Sequence, residues 1–339
     1  AAAAKKALAD HLERTGRTGT IEDGLYPSTY RVRWDIVGEP KVSILIPNKD
    51  HTEDLEKCLQ SIWKKTTWDR FEVIVIENNS TDPATFAYYE KARQRYNGLK
   101  VVTYPGKGFN FSAINNFGRK AAEGDYLLLL NNDTEVEDDT LHYLCETLAG
   151  NPAIGAVCPK IRFFAPPRHI QFAGYTPLTH VTLRNALIGF GMPDDGSFDT
   201  PRDTPYAHGA AMMVRREVPA KAGTMPDIYF LYYEELDWSV RIREQGWQIA
   251  YDPRCTVFHK ESATTGQESP LRSYYLTRNR LLFAWRNLHG TARMLSVAYQ
   301  LCIAVPKNIA AALARGRGDL AKAVLRGAGG FFTLKNKTA

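Results

Sequence analysis

The sequence predicts an α/β fold with a mostly parallel central sheet and flanking helices. Three observations carry that expectation. Strand-like and helix-like segments alternate from Lys41 to about residue 150; each strand runs apolar and breaks off in polar residues; and one run, Tyr126-Leu127-Leu128-Leu129-Leu130, is apolar throughout. Short unbroken apolar runs suit strands covered on both faces, as in a parallel sheet between helical layers. The strand–helix–strand spacing fits right-handed βαβ units.

Residues 1–40 begin with a helical stretch, Ala4 to Arg14, then an irregular arm with turn signals at Asp23-Gly24 and Pro27 and alternation from Tyr30 to Trp34. We expect this segment to pack on the core rather than fold separately. The first strand, Val42 to Pro47, stops in Asn48-Lys49-Asp50. A helix from Glu53 to Lys65 sets Leu55, Cys58, Leu59 and Ile62 on one face. The second strand, Phe71 to Ile76, ends in Glu77-Asn78-Asn79-Ser80-Thr81-Asp82, and Pro83 suits the first turn of the next helix, which reaches Tyr96. A third strand, Leu99 to Tyr104, and a helix from Phe111 to Glu123 lead into the central apolar strand, which ends in Asn131-Asn132-Asp133.

Beyond it the spacing predicts a helix from Asp139 to Ala149 and a strand from Gly155 to Pro159. The long region from Ile161 to Asp203, rich in Gly, Pro and Asp, reads as a binding loop. A strand from Tyr206 to Arg216 contains His208-Gly209-Ala210, small enough for a ligand to approach closely. Aromatics then run into Glu234-Glu235-Leu236-Asp237-Trp238 and a helix. A final strand starts at Gly246 and a further apolar run ends at His259.

With 339 residues, the chain can hold one large α/β domain with additions, or two domains. Its five cysteines are scattered without C-x-x-C spacing, which points to a reducing compartment and no zinc site. No signal-peptide core follows the opening Ala-Ala-Ala-Ala-Lys-Lys, and we expect the chain to begin inside a longer protein. No G-x-G-x-x-G follows the first strand and no G-x-x-x-x-G-K-[ST] occurs, which argues against dinucleotide dehydrogenases and P-loop enzymes. The net charge of +6 is uneven: residues 271–339 hold 12 Lys or Arg against one acid, Asp319, so that segment is +11 and the remainder −5. The basic excess directs any polyanionic partner to the tail.

Ligands of open α/β sheets sit at the carboxyl ends of the strands. Asp133 at such an end can hold a divalent cation that bridges a diphosphate; the competing reading is a turn capped at Asp133 or Thr134. Glu234, Glu235 and Asp237 beside an aromatic wall suit a carboxylate raised toward a base's working range, and helix capping is the alternative. His259 is a candidate ligand by position, although a lone His is more commonly structural.

Assembled in order, Val42 to Asp50, Val73 to Asp82, Phe109 to Asn116, Leu127 to Asp133, Gly209 to Arg216, Tyr232 to Arg241 and His259 resemble the family 2 glycosyltransferases, which have the GT-A (nucleotide-diphospho-sugar transferase) fold. The resemblance covers about Lys41 to Ser269. It is strongest to bacterial rhamnosyltransferase-like members that build O-antigen and cell-wall polysaccharides, with Tyr30 to Trp34 and Arg278 to Phe283 adding to it. It implies a catalytic domain over 41–270 and a C-terminal helical extension over 271–339. It implies a metal-dependent inverting enzyme that moves a sugar from a dTDP- or UDP-sugar to a glycan or lipid-linked acceptor. Pro47, Asn48, Asp50, Glu77, Asn79, Asn110, Asn131 and Asn132 would bind the donor. Asp133 and His259 would hold Mn²⁺ or Mg²⁺, with His favouring Mn²⁺ modestly. Glu235 would be the base and Asp237 the second choice, with Glu234, His208 and Trp238 on the acceptor side. Two positions depart from the family pattern: Asn131 replaces the first acid of the D-x-D motif, and Glu77 replaces an Asp. A catalytically degenerate carbohydrate- or nucleotide-binding domain and a nucleotidyltransferase are the alternatives.

In the tail, the uncharged run from Met294 to Val305 is shorter than the roughly 20 apolar residues of a bilayer span. Apolar faces flanked by Lys and Arg fit helices lying on an anionic membrane; an ordinary helical cap is the alternative. The implied location is cytoplasmic, peripheral on the inner face of a bacterial plasma membrane. No nucleic-acid motif is present, so none is expected as partner.

Overall fold

The computed structural model describes residues 2–24, 26–36, 38–260 and 269–335. Helix α1 (Ala2–Arg14) precedes a hairpin, β1 (Gly19–Asp23) with β2 (Tyr30–Trp34), so the expected irregular arm is a two-stranded sheet. It lies on the core through Trp34, whose amide donates to Glu146 at 3.2 Å.

The parallel half follows the apolar runs. It comprises β3 (Val42–Asn48), α2 (Thr52–Lys65), β4 (Phe71–Glu77), α3 (Pro83–Arg95), β5 (Leu99–Thr103), α4 (Phe111–Gly118) and β6 (Tyr126–Leu130). Strand β3 lies between β4 and β6, all parallel, with β5 outside β4. Every residue of β6 is buried, as expected of a strand covered on both faces. A side chain at Gly124 would meet the Ser43 amide at 2.6 Å, so only glycine lets the chain turn into β6 there. Helix α4 ends earlier than its sequence suggests, continuing as a 3-10 turn over Arg119–Ala121.

The second half mixes directions. In order come β7 (Thr134–Val136), α5 (Thr140–Gly150), β8 (Ile154–Phe163), β9 (Ile170–Phe172), β10 (Arg202–Asp203), β11 (Ala211–Arg215), the single turn α6 (Val218–Lys221), α7 (Glu234–Glu244) and β12 (Gln248–His259). The ten-stranded sheet runs β10-β12-β8-β11-β6-β3-β4-β5, with β7 on β12 and β9 on β8. Strand β11 is antiparallel to both β6 and β8. The expected long loop from Ile161 therefore contributes the end of β8, all of β9 and β10.

The tail forms α8 (Pro270–Asn287), α9 (Gly290–Tyr299), a π turn (Gln300–Ala304), α10 (Val305–Ala314) and α11 (Gly318–Lys335). The expected domain junction near residue 270 falls beside residues 261–268, outside the described set. Helix α8 is no loose appendage. Its Leu281, Leu282 and Phe283 form a second core with Tyr229, Tyr233 and Leu236. Helix α11 crosses α8 at close range, because a side chain at Gly327 would lie 2.5 Å from the Tyr274 carbonyl and one at Gly330 2.6 Å from its hydroxyl. The π turn joins α9 to α10 through Pro306, giving one continuous helix of 25 residues, Gly290–Ala314, long and apolar enough to cross a membrane by length and composition. That corrects the expectation of a run too short to span, which stopped counting at Pro306 and Lys307.

Candidate active site

The carboxyl ends of β3, β4 and β6 meet at one side of the sheet, and a chain of hydrogen bonds joins them. Asn132 donates to Asn48 Oδ1 at 2.7 Å, Asn48 Nδ2 donates to the Tyr89 hydroxyl at 2.8 Å, and Tyr89 donates to Glu77 Oε2 at 2.6 Å. Glu77 also accepts from the Ser80 amide and hydroxyl at 2.5 and 2.6 Å. It is 2% exposed. The expected reader of base or ribose is thus occupied within the protein, where it fixes the loop after β4. Asp50 behaves similarly. Its Oδ1 accepts from the Asp82 and Thr81 amides at 3.0 and 2.9 Å, and the Asp82 bond leads in holding its carboxyl below the usual range. Asn79, with φ 57°, donates to the Gly106 carbonyl, and Asn110 caps α4 while donating to the Asp227 carbonyl at 2.7 Å. Pro47, in β3, is half-buried at the same rim.

Asp133 and His259 come together because β7 starts directly after Asp133 and pairs antiparallel with the end of β12, setting His259 opposite Thr134. Asp133 Oδ1 lies 3.3 Å from His259 Nε2, and Asn131 Nδ2 lies 3.4 Å from the same nitrogen. Gln171 Oε1 sits 2.9 Å from His259 Nδ1. An acceptor there puts a proton on Nδ1 and orients the ring so that Nε2 faces the Asp133 carboxylate, as a ring held by an outer partner for metal binding would. A carboxylate and an imidazole nitrogen fit Mn²⁺ or Mg²⁺ only if ligand oxygens or water fill the other positions. No cluster of three or more His, Cys, Asp or Glu suited to a metal occurs among the described residues.

His208 lines the next stretch of wall, stacked on Tyr175 with ring centroids 6.2 Å apart and tilted against Phe172 at 5.0 Å. Its Nδ1 accepts from the Ala210 amide at 3.2 Å. Burial, and then the nearby His259, pushes its pKa down to about 3, so the ring is neutral. Beyond Tyr175 come the two glutamates. Glu234 is 4% exposed and Glu235 half-buried, and each has a buried Oε2 with no partner among the described residues. Burial raises the Glu235 pKa to about 7; burial and then the neighbouring Glu235 charge raise Glu234 well above the carboxylate range. Burial thus raises both carboxyls, and the pair shares a proton in the range where a general base works.

Asp237 does not join them. It is fully buried and accepts from Tyr229, Arg286 and Asn287 on Oδ2 at 2.8, 2.8 and 2.9 Å and from Arg241 on Oδ1 at 3.1 Å. Burial alone would raise its pKa; Arg286 leads the groups that hold it low. The second-choice base is a structural anion pinning α7 to α8. Trp238 is likewise core, 3% exposed, its indole donating to the Gly223 carbonyl at 2.8 Å. Arg243, one turn on, pairs with Asp203 at 2.8 Å.

The loop leading into the glutamates is strained. Phe230, Tyr232 and Tyr233 have φ of 71°, 68° and 76°, a region that bulky L-residues avoid. Sequence reasoning missed what holds them there. Asn279 of α8 donates to the carbonyls of Tyr229, Leu231 and Tyr232 at 3.1, 2.7 and 2.8 Å, and Phe230 stacks on Tyr275 at 4.5 Å. Its only signal was the run Arg278 to Phe283. Replacing Asn279 with Ala leaves buried carbonyls unpaired; we expect a stability loss of about 3 kcal/mol in denaturant titration and a larger fall in kcat than rise in KM.

Comparison with known proteins places this geometry in context. The model of a family described as glycosyl transferase family 2 matches residues 43–221. O-antigen biosynthesis protein RfbC of Myxococcus xanthus is 32% identical over 285 residues, covering 80% of this chain and 21% of that protein. N-acetylglucosaminyl-diphospho-decaprenol L-rhamnosyltransferase of Mycobacterium tuberculosis is 24% identical, covering 63% of this chain and 74% of its own length. The chain spans only 21% and 30% of the first two curated relatives it matches. Among solved structures, GalNAc-T7 with UDP, GalNAc and Mn²⁺ gives a TM-score of 0.56 at 14% identity, covering 82% of this chain and 59% of that one. A mannosyltransferase of Pyrobaculum calidifontis in complex with GDP-Man and Mn²⁺ gives 0.54 at 16%, covering 97% and 95%. At such identities the likeness is one of fold.

Proposed function

The chain belongs to glycosyl transferase family 2 and has the GT-A fold, and on that premise we propose that it is an inverting sugar transferase. The donor is a dTDP- or UDP-sugar, with rhamnose the first sugar to try, and the acceptor is a hydroxyl of a growing surface polysaccharide or lipid-linked glycan. The observation that carries the reading is the buried Glu234–Glu235 pair, whose Oε2 atoms have no partner among the described residues, linked to the Asp133–His259 contact through Tyr175 and His208. The rhamnosyltransferase and O-antigen names among the relatives support the choice of sugar and product.

In this reading Asn48, Asn132 and Asn131 line the donor pocket with Pro47, Asn79 and Asn110, while Asp50 and Glu77 keep its loop in shape. Asp133 and His259 would hold Mn²⁺ or Mg²⁺ against the donor diphosphate. When bound, the cation stabilises negative charge on the departing diphosphate as a Lewis acid. Glu235 takes the proton of the acceptor hydroxyl as that oxygen bonds to the anomeric carbon and the bond to the diphosphate oxygen breaks. A single displacement inverts the anomeric configuration. Glu234, its carboxyl raised by burial and by the Glu235 charge, neighbours the base, and neutral His208 stands between His259 and Tyr175.

The tail is read as a membrane-binding element. Its +11 charge and the exposed Met294, Leu295, Ile303 and Leu313 of the 25-residue helix support contact with the inner face of a bacterial plasma membrane. The testing experiment is a panel of UDP-, dTDP- and GDP-sugars assayed for nucleoside-diphosphate release with Mn²⁺, Mg²⁺ or EDTA. Metal-dependent release from one donor is expected. Donor binding without release under any acceptor would favour a degenerate binding domain, in line with Asn131 in place of an acid. Absence of both would overturn the reading.

A further inference from the structure

The continuous helix Gly290–Ala314 has two unlike sides. Met294, Leu295, Ala298, Cys302, Ile303 and Leu313 are exposed and recur at helical spacing, so they form an apolar stripe along its length. Met294 and Leu295 are 72% and 59% exposed, Ile303 and Leu313 53% and 58%. The opposite side is taken up by the protein. Ser296 and Gln300, both buried, donate to the Val181 carbonyl at 2.9 Å and the Thr182 carbonyl at 3.0 Å. Val305 enters the second core, and Ala312 packs with Leu320 and Ala321 of α11. From Ser296 to Ala312 this packed side runs about 24 Å along the helix.

That packed side decides how the helix can meet a bilayer. A spanning helix needs lipid or other spanning helices around its whole circumference, because irregular backbone and charge are costly in hydrocarbon. Here Ser296 and Gln300 hold the tip of an arm of the catalytic domain. In that arm the Thr176 amide donates to the Ala186 carbonyl at 2.9 Å and the Thr179 amide to the Arg184 carbonyl at 3.0 Å. A spanning helix would draw the exposed His180 and Arg184 of the arm into hydrocarbon with it. A helix lying flat keeps them in water. Its apolar stripe sinks into the headgroup boundary, and the +11 charge of residues 271–339 complements anionic headgroups. The arm is rooted at Tyr175, which stacks on His208 in the cleft wall, so the same contacts set the stance of the cleft over the surface.

We propose that this helix lies in the plane of an anionic bilayer, not across it, with its apolar stripe in the lipid and Ser296 and Gln300 keeping the catalytic arm on the protein side. The inference rests on the reading that the tail meets a lipid surface, and its test separates the two. Cys302 is exposed and the other four cysteines are buried, so the full chain takes a fluorescent thiol label on the stripe. Met294→Cys and Leu313→Cys, each combined with Cys302→Ser, carry the label toward either end. Phosphatidylcholine–phosphatidylglycerol vesicles holding shallow or deep nitroxide lipids then report its depth. All three labels are expected within about 5 Å of one depth, as for an apolar face sunk at the headgroup boundary. End labels about 28 Å apart along the bilayer normal, with Cys302 deepest, would mean a spanning helix and overturn the proposal. Sedimentation of the chain with vesicles while all three labels stay in water would overturn the flat helix and leave the tail reading intact. No sedimentation would overturn both. Labels that respond to protein concentration instead of to vesicles would put a second copy on this face and overturn the lipid partner.

Discussion

Replacing Glu235 with Gln is expected to lower kcat by about 10²–10⁴-fold, the range of a lost general base, while leaving donor affinity within about twofold. The amide keeps the shape of the carboxylate and cannot accept the acceptor's proton. The same carboxyl sets the pH dependence. With its pKa raised to about 7 by burial, Glu235 is protonated and inactive below neutrality, so kcat/KM should fall about tenfold per unit on the acid side of about 7. Stability moves the other way. A carboxyl whose folded pKa exceeds its unfolded value contributes stability that is fully present below the unfolded pKa and is lost as pH rises through the folded one. Glu235→Gln should therefore flatten the pH dependence of the melting temperature between about 4.5 and 7, the window in which the unaltered protein loses this contribution. Unchanged turnover in the variant would place the base elsewhere.

Asp133→Asn is expected to abolish the metal dependence of donor binding. Loss of an outer-shell partner alone weakens metal affinity by 10–100-fold, so loss of the carboxylate should weaken Mn²⁺-dependent donor binding by at least about 100-fold. Calorimetry with donor in Mn²⁺ and in EDTA separates this from general damage, because the small metal-free affinity should persist. Gln171→Ala should show a milder version of the same loss, since it removes only the group that turns His259 toward Asp133. Metal-dependent binding that survives in Asp133→Asn would overturn the assignment.

How far the sequence could be read depended on whether the deciding contact was near in the chain. The strands β3, β4 and β6 were legible because each is a self-sufficient apolar run. Strands β7, β9 and β10 were not, having three, three and two residues and no period to detect. On sequence, Glu235 and Asp237 are equal acids on one helix turn. Arg286 and Asn287, brought across by α8, make Asp237 an internal anion, while Glu235 has no cation paired with it among the described residues. Glu77 is similarly decided by Tyr89, one helix away. The tail helix was cut short on sequence because Pro306 and Lys307 look like a stop. A proline in the first turn of α10, after a π turn, interrupts hydrogen bonding without ending the helix.

The close crossing of α11 over α8 has a consequence for how the protein comes into being. The loop that aims the glutamates is held by Asn279, on a helix whose outer side is braced by Gly327 and Gly330. Residues of the cleft leave the ribosome well before that brace is made. A nascent chain would therefore own every group of its chemistry and still lack the working arrangement until α11 emerges and docks. A chain ending ahead of Gly318 would carry those groups without the brace behind Asn279.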